Sequence, residues 1–101
     1  MKHDDWLHEQ LKDDTFAASF LTQAALDTEP TVFIAALRHV VDARGGLAKV
    51  ADVGNLSKQN LYKSLPHSGQ GNPTAKTMFA ALRATGLTLA FAGTVSQIAT
   101  A

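Results

Sequence analysis

The sequence predicts an all-α fold, and three observations predict it. Apolar residues recur at three- and four-residue spacing through most of the chain. The breaks between those runs hold residues that start and stop helices: Asp13-Asp14, Pro30, Gly45-Gly46, Ser57, Pro66 and Gly86. Only residues 87–91 alternate in the manner of a strand. At 101 residues the chain suits one domain with a single modest core. Residues 1–30 read as a helical extension, 31–92 as the body of the domain and 93–101 as a flexible tail.

The first helix carries Trp6, Leu7 and Leu11, with Asp4 and Asp5 in its first turn, where the helix dipole favours acids. Asp13-Asp14-Thr15 interrupts it. Phe16, Phe20, Leu21, Ala24 and Ala25 then make a second helix, to about Asp27. Pro30 fits the opening turn of a third helix, since its missing N–H costs nothing there. Phe33, Ala36, Leu37, Val40 and Val41 share one face of that helix, with Arg38 and Asp42 off it. Gly45-Gly46 closes it.

Two short helices follow, over roughly 47–53 and 57–65, with Pro66 as a stop. After the loop of residues 67–71, Asn72-Pro73 reads as the N-cap and first-turn proline of a last helix that turns Met78, Phe79 and Leu82 inward. Gly86 ends it. A lone strand over 87–91 needs a partner, and its counterpart in a second subunit would supply one, making Thr88, Leu89 and Phe91 the candidate dimer element.

The two short helices have the parts of a helix-turn-helix. Ala51 allows close crossing, Gly54-Asn55 tolerates a left-handed turn, Leu56 is an apolar plug and Ser57 is a good N-cap. Leu61 and Leu65, four apart, face the core. Lys58, Gln59, Asn60, Tyr62 and Lys63 are left outside or at the edges. Amides can bond adenine bidentately, and lysine reaches guanine or phosphate. Ser57, Lys58, Gln59, Asn60, Tyr62 and Lys63 are therefore candidate DNA contacts, with Lys49 and Lys76, and also Arg44, on phosphates. The alternative is an ordinary solvated polar face.

A net charge of zero hides an asymmetry. Residues 1–30 carry seven acids against Lys2 and Lys12, a balance of −5, and residues 31–101 carry the opposite +5. Such a split suits one part that meets a polyanion and another that meets a basic partner, although chance clustering would look the same in sequence. Trp6, Glu9, Asp13 and Asp14 are the candidate partner-binding residues, Trp6 being either a packing anchor or an interface hot spot.

These segments resemble a known family: WLHEQLKDDTFAASFLTQAALD, FIAALRHVVDARGGLAKVA, LSKQNLYKSL, GNP and ALRATGLTLAF. In that order they are similar to the addiction module antidote (antitoxin) proteins with a Cro/C1-type helix-turn-helix, HigA-like. The resemblance implies a λ-repressor-like helical domain, usually a homodimer. It also implies operator binding for autorepression and neutralisation of a small basic RelE/ParE-like toxin. One departure stands out. The family sets the turn glycine directly before the apolar residue leading into the recognition helix, where this chain has Asn55, with Gly54 one position earlier.

Other chemistries find no footing. The absence of cysteine excludes disulfides, a thiolate nucleophile and Cys-based zinc sites. His3, His8, His39 and His67 lack the spacing that lines up ligands on one helix. His39 reads as solvated or singly hydrogen-bonded, and His67 as a loop residue or a phosphate contact. Ser57 and Ser64 have no neighbouring base to activate them, and SGQGNPT lacks the lysine of a P-loop. With no apolar run of membrane-spanning length and no signal-peptide pattern, the expectation is a cytoplasmic, non-enzymatic protein without cofactor. A protein-interaction module, in which the helix-turn-helix is structural only, is the rival function.

Overall fold

A computed structural model describes residues 3–93, and six helices organise them: α1 (His3–Gln10), α2 (Asp14–Ala25), α3 (Pro30–Ala43), α4 (Gly46–Gly54), α5 (Lys58–Ser64) and α6 (Ala75–Thr85). Local chemistry sets the boundaries. Asp13 caps α2, its Oδ2 accepting from the Phe16 amide at 2.8 Å. Pro30 opens α3. Gly45 and Gly46, both at positive φ, break α3 from α4. Ser57 caps α5 and Thr74 caps α6.

The core gathers one apolar stripe from each helix. Leu7 and Leu11 come from α1 and its end, Ala17 and Leu21 from α2, and Leu37, Val40 and Val41 from α3. Leu47 and Val50 from α4, Leu61 and Leu65 from α5 and its C-cap, and Ala80, Ala81 and Ala84 from α6 complete it. Burying a leucine fully is worth about 1.5–3 kcal/mol, so Leu11, Leu37, Leu61 and Leu65 dominate the packing. The small side chains of α6 let α4 lie close against it. The tightest point is Gly54, where a Cβ would meet the Ala80 Cβ at 2.7 Å.

Arg44 ties the chain ends of three helices together. Its guanidinium donates to the Thr85 carbonyl (2.8 Å) and to the Leu11 and Lys12 carbonyls (both 3.1 Å), and it pairs with Asp14. It is therefore engaged in the fold, and its assignment to phosphate is corrected.

Two other expectations are corrected. The last helix is capped by Thr74, whose Oγ1 accepts from the Thr77 amide at 3.2 Å, so Asn72-Pro73 lies outside it. Leu82 is buried as expected, but Phe79 is half exposed and Met78 only partly buried, because Ala80, Ala81 and Ala84 fill most of the buried face of α6. Thr88, Leu89 and Phe91 form no strand in the single chain, which offers no ladder partner to that backbone; all three are exposed. The expected tail, 93–101, lies outside the described residues except for Gly93.

Candidate functional site

Asn55 makes the turn between α4 and α5. It holds the left-handed conformation (φ 52, ψ 50), and its amide and that of Leu56 close the α4 C-terminus on the Asp52 and Ala51 carbonyls. Gly54 stays right-handed and serves close approach instead. The two residues thus divide the work that one turn glycine does in the expected pattern. Leu56 packs against the core, and the Ser57 Oγ accepts from the Asn60 amide at 3.4 Å.

The orientation of α5 follows from Leu61 and Leu65, which are 1% and 0% exposed. With that face buried, Lys58, Gln59, Asn60, Tyr62 and Lys63 are all exposed, as are Lys49 on α4 and Lys76 in the first turn of α6. Among the described residues none of these four lysines forms an ion pair. Asn60 and Lys63 line a cleft toward the start of α6, together with Asn72 and Thr74.

Arg38 holds α5 in place, a role that its position off the apolar face of α3 concealed. It is buried, donating to the Leu65 carbonyl at 2.9 Å and to Asp42 Oδ1 at 3.0 Å, with its guanidinium 5.4 Å from the centre of the Tyr62 ring. Tyr62 therefore has one structural face as well as an exposed one.

The acidic helices are less free than their composition suggests. Asp13 caps α2, Asp14 pairs with Arg44, and Glu9 meets Lys12 at 3.0 Å in an exposed pair of little energetic weight. Trp6 is 46% exposed and sits edge-on to Phe16, with ring centroids 6.2 Å apart; the core positions of α1 belong to Leu7 and Leu11. Asp4, Asp5, Asp27 and Glu29 complete the exposed acids of this region. The open cations Lys49, Lys58, Lys63, Lys76 and Arg83 all lie on α4–α6, where Asp52 is the sole acid. The charge split of the sequence is thus also a split between helices.

A histidine cluster joins the two halves. His8 Nε2 on α1 and His39 Nδ1 on α3 are 3.1 Å apart, and the His39 and His67 ring centroids are 5.7 Å apart. His67 Nε2 is 2.6 Å from Asp42 Oδ2. Burial, then the neighbouring His8, lowers the His39 pKa from its ordinary value. Burial raises that of Asp42, but hydrogen bonds from His67 and Arg38 outweigh this and leave it lowered. His39 is partly buried rather than solvated, and His67 is engaged by a carboxylate. Among the described residues no three His, Asp or Glu side chains are gathered so as to hold a metal ion.

The helices define a small all-α protein with a capped, polar short helix on one side and an acidic helical hairpin on the other. A family model described as "Probable addiction module antidote protein" matches residues 3–93, and the chain belongs to that family. An antidote implies a toxin as its partner. No curated protein and no solved structure matches the chain. No helix among the described residues is long and apolar enough to cross a membrane.

Proposed function

We propose that this antidote is a DNA-binding regulator, rather than an enzyme, that represses its own operon in the cytoplasm and neutralises a RelE/ParE-like toxin. The observation that carries the DNA-binding part is the setting of α5. A left-handed Asn55, a Ser57 cap and the buried Leu61 and Leu65 present Lys58, Gln59, Asn60 and Lys63 together on one short helix. That is the λ-repressor-like, helix-turn-helix reading of α4 and α5. Gln59 and Asn60 would read base edges, while Lys49, Lys58, Lys63 and Lys76 would fix register on phosphates.

A monomer with so few basic residues binds weakly, so the functional unit is a homodimer spanning half-sites about 34 Å apart. Leu89 lines an apolar cleft with Phe33, Met78 and Phe79, beside the unpaired backbone at Thr88 and Phe91. Pairing of that segment between two copies would supply the missing ladder. The test is a mobility shift on the chain's own promoter. Wild type should bind, and Gln59→Ala and Lys63→Ala should each weaken binding; binding equal to wild type in both rejects the assignment of α5.

The segregated charge favours a second reading, an interaction module whose α4 and α5 are structural only. Capture of the toxin without any promoter binding would select it.

A further inference from the structure

From the α2–α3 hairpin we infer that the toxin docks an amphipathic basic helix into the apolar groove between these two helices, an inference that rests on the antitoxin reading above. The groove measures about 670 Å³, within the range of binding clefts. Phe16 and Phe20 from α2 and Val32 and Ala35 from α3 make its apolar surface, and Ser19 and Gln23 stand exposed on its rim. No aspartate, glutamate, lysine or arginine lines it, and His39 stands in its α3 wall. An apolar trough between two helices is the geometry that accepts a helix by its apolar stripe.

Charge selects the occupant. Asp4 and Asp5 on α1 are exposed acids in no ion pair among the described residues, with Asp4 near enough to act electrostatically on His39 at the groove wall. Asp27 and Glu29 line the adjoining cleft at the hairpin turn, and the hairpin and α1 expose only Lys12 against these acids. A helix with lysines or arginines flanking its apolar stripe complements that frame. Residues 94–101, TVSQIATA, hold no basic residue and lack the complement. A second copy that answered these acids would do so with its basic α4–α6 face. Such a head-to-tail contact generates a ring or an open chain rather than a two-fold dimer.

The exposed rim positions allow a test that spares the core. The variant Ser19→Arg/Gln23→Arg places two cations on the groove edge, and an unchanged thermal melt verifies its fold. Binding of the co-encoded toxin to the full chain is measured by calorimetry, with a promoter shift alongside. The expected result is toxin binding weakened by roughly tenfold or more, since the new cations confront the basic flanks of the docked helix, with DNA binding as in wild type. Toxin binding equal to wild type overturns the groove while leaving the antitoxin reading standing. Failure of wild type to bind the toxin overturns that reading and the groove with it. A change in the mass of the chain alone by light scattering makes the groove a self-contact and overturns the assignment to the toxin.

Discussion

His8 on α1 and His39 on α3 face each other through ring nitrogens 3.1 Å apart, a contact that needs one N–H and one bare nitrogen. When both rings are protonated, two N–H groups and two positive charges confront each other. The His67 ring, 5.7 Å from that of His39, adds to the repulsion; Asp4 and Asp42 oppose it without overcoming it. Burial of His39 first, and this repulsion second, set its folded-state pKa below the ordinary value of 6.5. The unfolded chain then binds more protons between those two values, so stability rises with pH there. The contribution is complete above 6.5 and is lost as pH falls toward the folded value. Urea midpoints should decline from pH 7.5 to 5, and His39→Gln should flatten that decline. An equal slope in the variant would assign the acid sensitivity elsewhere.

Asp42 adds a second, more acidic step. Its folded pKa lies below the ordinary 3.8, so its contribution is present above 3.8 and disappears as pH falls through the folded value. Asp42→Asn should abolish this step while the histidine step remains and, with one opposing charge removed, deepens. Unfolding followed by circular dichroism from pH 7.5 to 2 separates the two.

Gly54 and Asn55 make opposite demands. Gly54→Ala places a Cβ 2.7 Å from that of Ala80 and 2.9 Å from Leu56 Cδ1, which forces α4 off α6. Overpacking of this kind costs about 1–3 kcal/mol. At Asn55 the constraint is the left-handed backbone, so Asn55→Ala should cost about 1–2 kcal/mol, whereas Asn55→Gly should change little. Chemical denaturation of the three variants distinguishes space from conformation. Equal losses at Asn55 for alanine and glycine would show that its side chain, not its φ, is what matters.

The same pair shows what the sequence reveals and what it hides. Spacing and capping residues locate all six helices, and Leu61 with Leu65 correctly orients α5. The turn pair is legible as a site of positive φ, but which residue takes it depends on Ala80, 26 positions away in the chain. The opening of α6 misleads because Asn72-Pro73 and Thr74 are equally good signals locally. Arg38 falls on a polar position of the α3 wheel, yet its length carries the guanidinium under Tyr62 to the Leu65 carbonyl. The histidine cluster draws on two helices and a loop, so no local spacing announces it. Asp13 and Asp14 look free in sequence because their partners are a backbone amide and a distant arginine.

Arg38 links stability to the proposed function. Arg38→Met removes the donors to Leu65 and Asp42, and hydrogen bonds involving a charged group are worth about 1.5–3 kcal/mol. The variant should be destabilised on that order. It should also bind promoter DNA less tightly, although Arg38 is buried and cannot itself reach the duplex. Weaker DNA binding with unchanged toxin binding would place the effect in the setting of α5. Loss of both would mean that the whole domain has loosened.

Salt dependence separates the proposed phosphate contacts from the base contacts. Each neutralised phosphate contributes about −0.9 to the slope of log affinity against log salt. Lys58→Ala and Lys76→Ala should each make the slope shallower by about one per copy bound and weaken all DNA sequences alike. Gln59→Ala should leave the slope unchanged and reduce discrimination among operator variants by about 1–3 kcal/mol. A flat salt response in wild type would leave Lys49, Lys58, Lys63 and Lys76 as solvated surface, since counterion release accompanies any duplex contact made by these four lysines. An altered slope in Gln59→Ala would instead mean that the glutamine sets the docking of α5 rather than reading a base.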